Sequence, residues 1–367
     1  MNAFPASAPC AEAPAAGDVL WIRAVNWLGD SVMTLPALGA FRAAFPRVRV
    51  LMGCRPGLAP FWEMCPSVDG VTLLPPGGMG DWAAARELRR LGAGRAVVFP
   101  HSFRSAWVPF LARIPERIGY AGHFRRFLLT RAASPVSCPG SAHQALDYYP
   151  LLGVVPDVVP PALDGLLRVP EAVLLATAER LGRAAAALPG FPPGGPWMAV
   201  APGAARGGSK RWPAEHFAAA VARIVRERPC GVLVCGTPAE KAAAAQIAAA
   251  APGAAVDLTG ATTLAQLAAV FRLCRLVLCN DSGAMHLGAA VGTPVVAIFG
   301  LTDPGRTGPL GLGHAVLAPT GVAGHAAIAR ESGRAAEVLA AIRPESVATA
   351  AIGIFNGNGN GGAPHAR

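Results

Sequence analysis

Residues 197–202, WMAVAP, open a series of short apolar runs that decides the fold. GVLVCG (231–236), VDLTG (256–260), LVLCN (276–280) and PVVAIFG (294–300) follow, separated by stretches of helical length at 213–228, 238–250, 264–273 and 283–291. Short, almost wholly apolar strands alternating with helices are the signature of a parallel sheet covered on both faces. The same alternation runs upstream. DVLWIRA (18–24), RVRVLMG (47–53), VTLLP (71–75) and RAVVFP (95–100) are predicted strands, with helices at about 31–45, 81–92 and 102–114. Pro36 predicts a kink or irregular first turn, and Pro109 weakens the middle of the 102–114 helix.

Two such series predict two Rossmann-like domains facing each other across a cleft, in an α/β chain of 367 residues. The boundaries expected are a flexible extension at 1–15, a first domain at 16–185, a proline- and glycine-rich linker at 186–196, a second domain at 197–352 and a disordered tail at 353–367. The opening residues lack a basic start and a continuous apolar middle, so they do not read as a secretory signal. No apolar stretch reaches the roughly 18 to 20 residues a membrane-spanning helix needs.

Charged residues make up 15% and hydrophobic ones 53%, which excludes a disordered class. The formal net charge of +10 favours anionic partners: phosphorylated substrates, an anionic membrane surface or nucleic acid. No nucleic-acid module accompanies the short basic runs, so nucleic acid is not expected as a partner. Eight cysteines are scattered without a CxxC pair or metal-ligand spacing, which implies reduced thiols in a cytoplasmic protein with no metal site.

In open α/β sheets, ligands bind beyond the carboxyl ends of the strands. Four strand-end loops carry polar chemistry. Asn26, Trp27 and Asp30 follow the first strand; a carboxylate at a helix start is favoured by the helix dipole and has the chemistry of a general base. Asp is equally a common helix cap. Gly203, Ala204 and Lys210 follow WMAVAP, where glycine lets a phosphate approach the backbone and lysine supplies charge. Glu240, after GVLVCG, fits a ribose contact or an ordinary first-turn carboxylate. Asp281, Ser282, Gly283, Ala284 and His286 follow LVLCN; a helix start offers backbone N–H groups to a diphosphate, and capping is the alternative use. GxGxxG after the first strand, GxSxG and HExxH are absent, which removes support for nicotinamide enzymes, esterases and zinc peptidases.

The order and wording of WLGDSVMTLPAL (27–38), FPHSFRSAWVPFLARIPERIGY (99–120), PGA with SKRWP (202–213) and NDSGAMHLGAAVGTPVVAIFG (280–300) resemble glycosyltransferase family nine, the bacterial heptosyltransferases. Within it, HSFRSA is most similar to the members that add the second heptose of the lipopolysaccharide inner core. The resemblance implies a GT-B architecture with the acceptor on the first domain and the donor on the second. It implies ADP-heptose as donor, a heptosyl-Kdo-lipid A core as acceptor, inversion at the anomeric carbon, and no cofactor. By the same likeness Asp30 is the catalytic base, while Lys210, Gly203, Ala204, Glu240, Asp281, Ser282, Gly283, Ala284 and His286 line the donor site. Asn26, Trp27, Ser102, Arg104 and Arg125 would meet the acceptor, with Arg113 and Arg126 as further cations facing it or the inner leaflet of the membrane. The alternatives are another core-sugar transferase of the family, a GT-B nucleotide-sugar epimerase and a non-catalytic nucleotide-sugar binder. The stretch 314–342 lacks the cysteine that similar members carry there, and Ala204-Ala205-Arg206 lacks hydroxyl groups.

Overall fold

The computed structural model describes residues 14–15, 17–74, 78–134, 143–156, 163–205, 210–319 and 333–357. The chain folds as two units, Met1–Arg168 and Val169–Arg367. The expected extension before Pro14, the basic loop residues 206–209, the altered stretch at 320–332 and the tail beyond Gly357 lie outside the described residues.

The first unit holds β1 (Val19–Arg23), α1 (Leu28–Ala44), β2 (Arg49–Cys54), α2 (Ala59–Glu63), β3 (Gly70–Leu73), α3 (Gly78–Arg90), β4 (Arg95–Val98), α4 (Phe103–Leu111), β5 (Glu116–Tyr120), β6 (Arg131–Ala133) and α5 (Tyr149–Leu152). The second holds α6 (Glu171–Ala187), β7 (Trp197–Ala201), α7 (Ala214–Glu227), β8 (Gly231–Val234), α8 (Lys241–Ala249), β9 (Ala255–Asp257), α9 (Leu264–Leu273) and β10 (Leu276–Asn280). It continues with α10 (Gly283–Ala290), β11 (Val295–Ile298), α11 (Pro304–Thr307), β12 (Ala315–Leu317), α12 (Gly333–Ala340) and α13 (Pro344–Phe355).

Each unit contains one six-stranded sheet, ordered β3-β2-β1-β4-β5-β6 and β12-β11-β10-β7-β8-β9, and the strand pairs within both are parallel. Counted from its own first strand, each sheet therefore runs 3-2-1-4-5-6, the doubly wound order of dinucleotide folds. This is the GT-B pairing of Rossmann-like units expected from the sequence. The direction of winding reverses between β1 and β4 in the first unit and between β7 and β10 in the second, so ligand sites are set at those strand ends.

Burial follows from the strand composition. Every residue of β7, β8, β10 and β11 is buried, as central parallel strands require. Helix α7 contributes Phe217, Ala220, Val221 and Ile224, one face at helical spacing, against a core shared with Val347 and Ala351 of α13. Truncating Phe217 to alanine in such a core costs about 3 to 5 kcal/mol. In the first unit Trp21 is fully buried, and its ring occupies the space a side chain at position 53 would fill. A Cβ on Gly53 would lie 2.1 Å from that ring, so glycine there is what allows β1 to carry a tryptophan.

Several expectations require correction. Helix α1 begins at Leu28, not near Ser31, and runs through Pro36 to Ala44. Its N-cap is Trp27, in extended backbone, so Asp30 stands inside the first turn and is not the cap. Helix α4 likewise contains Pro109. The 186–196 run does not separate the units: Gly190 N donates to Gly253 O at 2.8 Å, and the Phe191 and Trp197 rings lie 4.4 Å apart, all inside the second unit. The division falls earlier, after Arg168, and α6 packs with α9. Ordered helix extends past 352, since α13 ends at Phe355.

Candidate active site

The residues expected to line the donor site converge on one edge of the second sheet. Asn280, the last residue of β10, is fully buried and joins two strand ends. Its Nδ2 donates to Pro202 O at 2.6 Å, and its Oδ1 accepts from Trp212 N at 3.1 Å. One amide thus fixes the beginning and the end of the β7–α7 loop against β10. Arg211 closes that loop on itself, donating twice to Ala204 O at 3.2 and 3.1 Å. Lys210 is carried between these anchors, and its Nζ pairs with Asp281 Oδ2. Thr302, in the loop after β11, donates to the same carboxylate oxygen at 2.5 Å.

Asp281 is 5% exposed, so its charge is kept from water by a cation and a hydroxyl. Next to it α10 begins. Ser282 is the N-cap but makes no capping bond, and its Oγ is buried with no hydrogen-bond partner among the described residues. The amides of Gly283 and Ala284 lie in the first turn, where no preceding carbonyl of the helix can reach them. A cation, a hydroxyl and helix-start amides gathered at a strand end make an anion site. His286 lies one turn further in, 4% exposed.

Glu240 is held by local structure. Its Oε2 accepts from Thr237 N at 2.7 Å, completing a capping box with Thr237 before α8. The same carboxylate lies against Gly203, where an added Cβ would fall 1.8 Å from Oε1. Gly203 and Glu240 are therefore neighbours, although 37 positions separate them in the chain (240 − 203). The Ala204 side chain is buried; its carbonyl serves Arg211.

The first sheet presents a second polar edge. Arg23, ending β1, donates to Asn26 Oδ1 at 2.9 Å, to Gly53 O at 3.3 Å and to Ala24 O. Burial, then the neighbouring Arg55 and Arg104, pulls the Arg23 guanidinium down to about 10. It stays charged at neutral pH. Arg104 pairs with Asp81 at 3.3 Å while its side chain remains 58% exposed. Three arginines from β1, the β2 end and α4 thus gather at one edge with Asn26. Trp27 is 45% exposed there, Ser102 is the N-cap of α4, and Asp30 is partly exposed in α1.

Arg125 corrects the expectation of a cation presented to a ligand. It is fully buried, and its guanidinium donates to Tyr120 O at 2.9 Å, Ser102 O at 3.2 Å, Ser105 Oγ at 3.0 Å and Pro100 O. Burial lowers it to about 10. It clamps the 100–105 turn and so positions Ser102 and Arg104. Arg23, Arg55, Asp81 and Thr302 went unread in the sequence, and Asn280, which closes LVLCN and opens the polar loop after it, carried no role of its own there; the strand-end rule that selected Asp281 would also have reached Arg23 and Thr302. Among the described residues no three His, Cys, Asp or Glu side chains gather as metal ligands.

The model of glycosyltransferase family 9 (heptosyltransferase) matches residues 82–319. The chain belongs to glycosyltransferase family 9. It is a glycosyltransferase, and both polar edges just described belong to a family 9 enzyme. It is 29% identical over 300 residues to lipopolysaccharide heptosyltransferase 2 of Escherichia coli K12, which covers 78% of this chain and 83% of that one. Lipooligosaccharide heptosyltransferase 2 of Haemophilus influenzae is 29% identical over 304 residues, 78% of this chain and 84% of that one. Among solved structures, E. coli ADP-heptose LPS heptosyltransferase II superposes with a TM-score of 0.76 at 25% identity, covering 93% of this chain and 99% of the other. E. coli heptosyltransferase WaaC with ADP shares the fold, with a TM-score of 0.67 at 19% identity, covering 93% of this chain and 100% of the other.

Proposed function

We propose that this family 9 enzyme transfers L-glycero-D-manno-heptose from ADP-heptose to the heptosyl-Kdo-lipid A inner core of lipopolysaccharide, at the cytoplasmic face of the inner membrane. The observation that carries the reading is the anion site of Lys210, Ser282 and the α10 start beside Asp281. The relatives named for this transfer support the choice of sugar and acceptor.

The diphosphate of the donor takes Lys210, the Ser282 hydroxyl and the amides of Gly283 and Ala284. Asp281 accepts hydrogen bonds from heptose hydroxyls, and the free oxygen of Glu240 faces the ribose. On the first unit, Asn26, Trp27, Ser102 and Arg104 receive the acceptor, whose phosphates and carboxylates suit the Arg23, Arg55 and Arg104 cluster. The acceptor hydroxyl oxygen attacks the anomeric carbon as the bond to the β-phosphate oxygen breaks. The bonding pair leaves with ADP, and the hydroxyl proton passes to Asp30. Attack opposite the leaving group inverts the centre. Negative charge grows on the departing diphosphate, so fixed donors aimed at it lower the barrier.

The test is mass spectrometry of lipopolysaccharide from a deletion strain, complemented with wild type and Asp30→Ala. Loss of the second heptose and everything beyond it is expected, restored by wild type alone; an intact core sinks the assignment. With purified enzyme, Asp30→Ala lowers kcat by about 10² to 10⁴ while ADP binding stays close to normal. A wild-type rate in that variant removes Asp30 as the base.

A further inference from the structure

Helix α4 turns an aromatic face to solvent. Phe103 and Phe110 are 40% and 36% exposed, and Trp107 lies half-buried between them, at i, i+4 and i+7. Their rings form a chain: Phe103 to Trp107 at 6.2 Å and Trp107 to Phe110 at 5.7 Å, with Phe127 joining Phe103 at 5.9 Å. Arg117 sits over the Phe110 ring at 5.6 Å, extending the row with a cation. Phe127 is 66% exposed, and Phe124, on the same loop, is 95% exposed.

That loop also holds an unfavourable backbone. His123 and Phe124 have φ of 49° and 56°, successive non-glycine residues in the left-handed region. Water gives no return for setting a phenylalanine almost wholly in solvent on such a backbone. An apolar phase does. The charge around the rings is one-sided: residues 100–134 contain six arginines and one acidic residue, Glu116. Glu116 is already engaged by Arg95 and Arg131. Arg113 and Arg126 are exposed beside the aromatic row.

We infer that α4 and the 121–127 loop form a docking surface for an anionic lipid bilayer, with Phe103, Trp107, Phe110, Phe124 and Phe127 entering the headgroup region and Arg113 and Arg126 meeting lipid phosphates. Aromatic rings on an apolar–polar boundary, ringed by arginines, match an interface of that composition. Base stacking is the other use of exposed aromatics beside arginine, but it needs open ring faces. Here the Phe103, Trp107 and Phe110 rings already face one another in a contiguous row, leaving edges for hydrocarbon. Among the described residues no helix is long and apolar enough to cross a membrane, so contact through this patch is superficial. Its purpose rests on the reading of a lipid-borne acceptor; its existence does not.

The experiment is co-sedimentation of the full chain with phosphatidylcholine–phosphatidylglycerol vesicles and with phosphatidylcholine alone. Wild type is expected to bind the anionic vesicles and to be released by salt. Phe110→Ser together with Phe127→Ser lowers the partition coefficient about tenfold, and Arg113→Gln or Arg126→Gln lowers it about fivefold each. Unchanged melting temperatures establish that these surface variants fold. The paired phenylalanine variant keeps the wild-type transfer rate on an acceptor stripped of its acyl chains and loses rate on acceptor embedded in vesicles. The proposal is overturned if wild type ignores anionic vesicles, if the phenylalanine variant binds them as well as wild type, or if those substitutions abolish self-association or binding to duplex DNA instead. Vesicle binding with no heptosyl transfer to either acceptor would sink the proposed function and leave the docking surface standing.

Discussion

Substituting Gly203 by alanine tests whether the β7 and β8 strand ends are built around one carboxylate. The new methyl would stand 1.8 Å from Glu240 Oε1 and 2.3 Å from its Cδ, well inside any contact that real side chains show. Glu240 must leave, and with it goes the Oε2 bond from Thr237 N at 2.7 Å that closes the capping box. Loss of a cap costs roughly 1 kcal/mol, and a bond to a charged acceptor about 1.5 to 3. Gly203→Ala should therefore destabilise the second unit by about 2 kcal/mol, and Glu240→Ala by about 1 to 2. The double variant has no clash to relieve, so it should fall near Glu240→Ala alone, a coupling of roughly 2 kcal/mol. Urea unfolding of the four proteins by tryptophan fluorescence measures this, and ADP titration calorimetry on the same samples reports the donor side. Both single variants should weaken ADP by similar factors, because each removes the same carboxylate. Additive penalties, or a Gly203→Ala variant as stable as wild type, would refute the reasoning.

Asn280→Ala leaves a buried amide and a buried carbonyl without partners, a cost of about 2 to 5 kcal/mol, visible as a lower urea midpoint together with weaker ADP binding. Lys210→Ala should lower kcat by about 10² with a smaller change in ADP affinity, because its charge counts most as the diphosphate departs; single-turnover kinetics separates the two. His314 is held neutral by burial, with Nδ1 accepting from Val295 N at 3.1 Å and Nε2 facing Leu310 O at 3.0 Å. Its folded pKa lies below the ordinary 6.5, so the unfolded chain binds the proton more readily. Its contribution is present above 6.5 and is lost as the pH falls through that range, which thermal melts of wild type against His314→Gln should show as a flatter acid limb in the variant.

Legibility followed burial. Strands β7, β8, β10 and β11, covered on both faces, announce themselves as unbroken apolar runs. Two of the edge strands do not: β6 reads Arg-Ala-Ala and is only partly buried, and β12 is three residues long. The strand-end rule singled out Asp30, Lys210 and Asp281 because their residue types carry chemistry openly. Arg125 misled for the opposite reason, since an arginine codon says nothing about whether its guanidinium meets solvent or four protein acceptors in space. Asn280 was hidden inside an apolar run, and its role becomes visible only when Pro202 and Trp212 are placed on either side of it. Proline and glycine at 186–196 suggested a linker, yet the same residues serve a turn packed on Gly253 within one unit.

The identical strand order of the two sheets bears on how such an enzyme changes its substrates. Each unit owns a complete switch point, so under the proposed assignment the residues that greet one substrate share no strand with those that greet the other. If the acceptor meets the first unit as proposed, substitutions at the ends of β1 and β4 can retune the molecule that receives the sugar without touching the backbone that cradles the nucleotide. A lineage can thus keep its donor fixed and explore acceptors, or the reverse, by drift confined to one half of the gene.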